Sequence, residues 1–223
     1  MRILLAVTTH WPGVDTRIIA AAYKAADMSG ADGTRMFTVG RTDDNGAMDL
    51  LPGNIDHKRV HVGPNRGHQE GERDLVWGAI RWAEEQGYDF ILKVAADCIH
   101  TTPGWARSWY DHARGMDAVI IGDRHPENHT WNTDPLLHCM PQTKVFLATT
   151  AFLKATWPTY DSCFIERDFE LGIRKVGYWP LVRLIAGDEV DHIGNGNQET
   201  WRPISGPLRF EHCHSASEIP CIK

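Results

Sequence analysis

Apolar and polar positions along the chain alternate between two periods. Short apolar runs at 3–7, 35–39 and 59–63 predict strands, and between the first two, residues 15–28 place Ile18, Ile19, Ala22, Tyr23 and Ala26 on one helical face. In "ERDLVWGAIRWAEEQG" the residues Leu75, Val76, Ala79, Ile80 and Ala83 recur at helical spacing, with Gly87 as the stop. "DFILKVAAD", at 89–97, is nearly continuous in apolar residues and predicts another strand. Downstream the pattern predicts a helix that begins after Pro103-Gly104 and runs to His112, a buried strand at 117–122, and a strand followed by a short helix in "TKVFLATTAFLKATW". Between those last two strands, "DRHPENHTWNTDPLLHCMPQ" reads as a polar loop of a length that often carries function. Strand and helix in alternation imply an α/β fold, a mostly parallel central sheet flanked by helices.

Composition narrows the class. A chain of 223 residues, 42% hydrophobic and 23% charged, is expected to form a single domain over 1–223 with a substantial core. No apolar run reaches the roughly 18 residues of a membrane span, and the run Ile3 to Val7 is too short for a signal-peptide core. Cysteines at 98, 139, 163, 213 and 221 are odd in number and contain no Cys-x-x-Cys pair, so a reducing cytoplasm is the expected location. A net charge of -6 argues against bulk electrostatic binding to nucleic acid.

Against that background four segments carry candidate chemistry. Asp97 falls where the apolar strand ends, which in open α/β sheets is where ligands bind, and a carboxylate there suits Mg²⁺ or Mn²⁺; a turn or helix-capping aspartate fits the same position equally well. "GPNRGHQEGERD" at 63–74 sets three glycines beside Arg66, His68 and Arg73 ahead of a helix, a composition suited to a diphosphate or to a solvated loop. It contains neither Gly-x-Gly-x-x-Gly nor the Walker A pattern. In "CFIERDFELGIRKVGYW", Leu171 and Ile173 read as apolar anchors and Gly177 as a stop, while Glu166, Asp168 and Glu170 crowd the helix start. Acidic residues there satisfy the helix dipole, and one facing a cleft can also serve as a general base. Among 12 histidines, His192 precedes a glycine-rich turn, and "EHCH" at 211–214 reads as tail because its spacing matches no structural zinc pattern.

Taken in order, these segments resemble the nucleotide-sugar glycosyltransferases with the A-type fold, particularly inverting family 2, over about residues 1–195. The likeness runs through "VTTHWPGVD", "VGRTDD", "NRGHQEGERD", "ILKVAADCIHTTPGW", "FLATTAFLKATW" and "ERDFELGIRKVGY". It implies the glycosyltransferase A-type (nucleotide-diphospho-sugar transferase) fold, with residues 1–100 as the nucleotide-binding half, 101–195 as the acceptor-side half and 196–223 as a C-terminal tail. It implies donor contacts from Thr8, Thr9, His10, Asp43, Asp44, Arg73 and Asp97, a metal held by Asp97 and His192, and Asp168 as the catalytic base. Ala95 stands at the first place of the family's Asp-x-Asp, and Arg167 where an acidic partner of the base is usual. The implied activity is Mn²⁺- or Mg²⁺-dependent transfer of a sugar from a nucleotide-diphosphate sugar donor, foremost a UDP-sugar, to an acceptor hydroxyl with inversion.

The acceptor is left open among a glycan, a small molecule and a hydroxylated DNA base. A modified nucleic acid would need a local basic surface, for which Lys58, Arg59, Arg66, Arg174, Lys175 and Arg202 are the candidates. Two rivals stand beside this reading. Ala95 favours a non-catalytic nucleotide-sugar-binding module, and a sugar nucleotidyltransferase would share the sheet but ordinarily needs a glycine-rich basic loop where this chain has "TTHWPGVD".

Overall fold

The computed structural model describes residues 1–8, 16–29, 35–40, 57–61, 66, 68–124, 139–160, 164–177, 182–186, 202–203, 208–212, 215, 217 and 219–220. An eight-stranded sheet runs in the order β3-β2-β1-β4-β7-β6-β8-β9. Its strands are β1 (Ile3–Thr8), β2 (Arg35–Gly40), β3 (His57–His61), β4 (Phe90–Ala95), β6 (Ala118–Arg124), β7 (Cys139–Thr149), β8 (Val182–Ala186) and β9 (Arg202–Pro203). All pairings are parallel except those of β7, which runs antiparallel to both β4 and β6. A two-stranded ladder joins β5 (Cys98–His100) to β10 (Phe210–His212).

Two apolar layers sandwich the large sheet. Alternation along β1 sends Ile3, Leu5 and Val7 to one face, against α1 (Thr16–Asp27) and α3 (Trp105–His112). Leu4 and Ala6 go to the other, against α2 (His68–Gln86), α4 (Thr150–Thr156) and α5 (Ile165–Val176). The predicted faces of α1 and α2 are the buried ones: Ile18, Ile19, Ala22, Tyr23 and Ala26, and Leu75, Val76, Ala79, Ile80 and Ala83, all lie in the core. Each large apolar side chain so buried contributes about 1.5–3 kcal/mol.

Several expectations need correction. Residues 68–71, read as lying ahead of the helix, form its first turn, so α2 begins at His68. The loop assigned to 123–142 is shorter, because β6 extends to Arg124 and β7 begins at Cys139; residues 125–138 lie outside the described residues. Leu171 is no anchor: it is 46% exposed, and Phe169, with Ile165 and Ile173, takes the buried face of α5 instead. The strand before Asp97 is unbroken but carries a buried charge, Lys93, within its apolar run. "EHCH" is not all tail, since Phe210 to His212 pair with His100 to Cys98.

Close packing on the second face shows in two places. Trp157, at the end of α4, meets Phe169 at 4.9 Å between ring centroids and donates its indole N–H to the carbonyl of Arg73 at 3.2 Å. Where α5 crosses α4, a Cβ on Gly172 would lie 2.0 Å from the carbonyl oxygen of Thr156. The missing side chain is what lets the two backbones approach.

Candidate functional site

The carboxyl ends of β1 and β4 meet at a topological switch point. From β1 the chain passes through α1 to β2 on one side, and from β3 it returns through α2 to β4 on the other side of β1. Such a reversal leaves a crevice beyond the strand ends, where ligands bind in open α/β sheets. Thr8 and Ala95 are register partners at this edge, and the amide of Ala96 donates to the carbonyl of Thr8 at 2.8 Å. Ala95 is the last residue of β4, and Asp97 sits in the two-residue turn that leads into β5.

Two features of this edge suit a polar ligand. The hydroxyl of Thr8 is fully buried and has no partner among the described residues, an arrangement that a folded protein seldom leaves uncompensated. Asp97 is half-buried, and its Oδ1 lies 3.6 Å from the sulfur of Cys98. Burial foremost, and then the negative charge of Asp97, push the Cys98 thiol well above its ordinary value, so the sulfur stays protonated.

The remaining positions that the family likeness implies are distributed as follows. Arg73 lies in the second turn of α2, buried, with its guanidinium on Asp74 at 2.9 Å. Arg66 grips the same carboxylate bidentately, at 2.8 Å from each oxygen. Asp168 is in the first turn of α5, half-buried, and the hydroxyl of Tyr160 is hydrogen-bonded to it. Partial burial first, then that bond and the charge of Asp168, raise the Tyr160 phenol above its usual value. Thr9, His10, Asp43, Asp44 and His192 lie outside the described residues.

Below the crevice runs a polar chain that sequence reasoning missed. Lys93, 1% exposed in the middle of β4, forms an ion pair with Glu72 of α2. Its ammonium also donates to the carbonyls of Thr143 at 2.6 Å and Lys144 at 3.2 Å. The hydroxyl of Thr143 donates in turn to Oε1 of Glu166, in the first turn of α5, at 3.1 Å. A lysine inside an apolar strand was the available signal, because a buried cation must find carboxylate and carbonyl partners.

A divalent cation is implied by the family likeness, and the donor chemistry at the edge fits one. Among the described residues no three His, Cys, Asp or Glu side chains gather as a cage. Mg²⁺ and Mn²⁺ do not need a cage, since one or two protein oxygens plus phosphate and water complete their shell. Asp97 offers such an oxygen in the turn that follows β4, at the same strand end as Thr8.

No protein-family model and no curated protein matches the chain. Solved structures do. The chain is similar to 4-diphosphocytidyl-2C-methyl-D-erythritol synthase from Anaerococcus prevotii at 9% identity and a TM-score of 0.55, over 89% of this chain and 93% of that one. It is similar to glucosyl-3-phosphoglycerate synthase from Mycobacterium tuberculosis, solved with Mn²⁺, UDP and glucosyl-3-phosphoglycerate, at 12% identity and a TM-score of 0.53, over 89% and 74%. A third similar structure is a CMP:2-keto-3-deoxy-manno-octonic acid synthetase with CTP, at 7% identity and a TM-score of 0.51, over 83% and 88%. Cytidylyl and glycosyl transferases stand side by side in this set, so the likeness does not single out inverting family 2. It reaches the architecture: the chain has the nucleotide-diphospho-sugar transferase fold.

Proposed function

We propose that the protein is a metal-dependent glycosyltransferase that moves a sugar from a nucleotide-diphosphate donor, foremost a UDP-sugar, to an acceptor hydroxyl with inversion. The observation that carries this reading is the pairing of Thr8 with the Asp97 end of β4 at the switch point, where a buried hydroxyl has no partner among the described residues. Asp97 and His192 would hold Mn²⁺ or Mg²⁺, which when bound neutralises charge on the leaving diphosphate. Thr8, with Thr9, His10, Asp43 and Asp44, orients the nucleotide, and Arg73 adds positive charge toward the diphosphate. Asp168 takes the proton of the attacking hydroxyl, with the hydroxyl of Tyr160 steadying its carboxylate. In this reading residues 1–223 would act as one catalytic unit, which the adjacency of β4 and β7, from the two halves, in one sheet supports.

The experiment separates binding from chemistry. UDP with Mn²⁺ should raise the melting temperature of the wild-type protein, as any ligand of the native state does by mass action. Asp97→Ala should lose the Mn²⁺-dependent part of that rise. Asp168→Asn should keep it and lose transfer by about 10²–10⁴-fold. A flat response of the wild type to every nucleoside diphosphate tried would refute the proposal. A second reading, nucleotidyl transfer, is favoured by the likeness to the cytidylyl enzymes. Pyrophosphate release from a nucleoside triphosphate and a sugar phosphate would establish it instead, and nucleotide binding without turnover would mark a binding module.

A further inference from the structure

The first turn of α5 is tied down from outside. Phe164, its N-cap, makes no side-chain cap, and the amide of Ile165 donates instead to Oε1 of Gln69 on α2 at 2.6 Å. From the sheet side, the hydroxyl of Thr143 reaches Glu166 at 3.1 Å. The position of Thr143 has its own cause. The ladder between β4 and β7 ends at Val94 and Val145, while β7 goes on to pair with β6 from Pro141 to Cys139. Thr143 and Lys144 therefore lie past the last β4 pairing, and the Lys93 ammonium takes up both their carbonyls. Glu72 fixes the ammonium from α2, so one buried chain of contacts links α2, β4, β7 and α5.

We propose that Thr143 is a positioning residue: held by Lys93 through its carbonyl, it uses its hydroxyl to fix the first turn of α5, and with it Asp168, relative to the Asp97 end of β4. The placement of Asp168 as base rests on the glycosyltransferase reading above. The brace itself does not, because it consists of contacts among residues that the reaction need not touch. Gln69 of α2 holds the same turn through a separate hydrogen bond, and loss of Thr143 alone should therefore loosen the turn without unfolding it.

Thr143→Val keeps the shape and the carbonyl and removes only the hydroxyl; Thr143→Ser keeps the hydroxyl. Amide hydrogen exchange at Phe169, whose N–H lies in that first stretch of α5, should speed up at least tenfold in Thr143→Val and return to the wild-type rate in Thr143→Ser. Exchange at Leu5 and Leu92 in the central strands should not change. Glu166→Leu, which removes the acceptor, should reproduce the effect of Thr143→Val and serves as the second variant. With UDP-glucose, UDP-galactose, UDP-N-acetylglucosamine or GDP-mannose and Mn²⁺, nucleotide release by Thr143→Val should fall about tenfold in kcat at an unchanged donor KM. Unchanged exchange at Phe169 in both variants overturns the brace. Faster exchange with an unchanged kcat overturns the positioning role. A wild type that releases no nucleotide from any of these donors counts against the glycosyltransferase reading, and the exchange measurements still decide the brace.

Discussion

His100 makes stability depend on pH because an ionisable ring sits inside an apolar layer. It is fully buried, stacked on Trp105 at 3.9 Å, and its Nε2 accepts from the indole of Trp109 at 3.1 Å. The neutral ring then carries its proton on Nδ1, which has no partner among the described residues. Burial lowers the His100 value from 6.5 to about 3, so between those limits the unfolded chain binds a proton that the folded chain refuses. Its contribution is complete above about pH 6.5 and is lost as the pH falls toward 3, at about 1.4 kcal/mol per unit. Urea unfolding at pH 7, 5.5 and 4 should show that slope, and His100→Leu should flatten it. A histidine within "CIHTTPGW" gives no warning of this, since its burial comes from Phe210 and two tryptophans that only the fold assembles. Lys93 is the opposite case: its burial could be read from the apolar residues on either side, and its partners could not.

Elements were legible where one face repeats and opaque where two helices touch. Periodicity finds α2 because five apolar residues mark its buried side, and it finds the end of α5 because Gly177 takes a left-handed φ of 72°. The buried face of α5 is also written in the sequence, since Ile165, Phe169 and Ile173 recur four residues apart, whereas Leu171 and Ile173, two apart, cannot share a helical face. Gly172 reads as a weak spot in that helix, yet its bare Cα is the contact with α4. Gly172→Ala should therefore destabilise the protein by about 1–3 kcal/mol despite the better helix propensity of alanine, because a methyl group 2.0 Å from a backbone oxygen forces the helices apart. Thermal unfolding would test this, and a gain in stability would show that the helices can yield.

At the scale of the molecule, the α/β alternation is enough to predict a mostly parallel sheet with helices on both faces. The antiparallel β7 between β4 and β6, and the return of a distant segment to β5, are not predictable from it. Both depend on pairings between residues far apart in sequence, which local periodicity does not encode. The candidate site was legible to the extent that strand ends can be located: Thr8 and Asp97 do fall at one edge. That the segment around Leu208 covers the layer beside it is a tertiary fact. Leu208→Ala should cost about 2–4 kcal/mol in urea unfolding, as for a core leucine, whereas a tail residue would cost almost nothing.

The pairing of β5 with β10 also sets an order of assembly. His212 is the register partner of Cys98, 114 positions later in the chain, the difference between 212 and 98. During synthesis the strand that follows Asp97 waits, with its polar edge unmatched, until nearly the whole sheet beneath it has been made. Contacts of such long separation are slow to form, and an unmatched edge is open to wrong partners in the meantime. The strand that follows Asp97 is therefore completed only after residues 210–212 have been made.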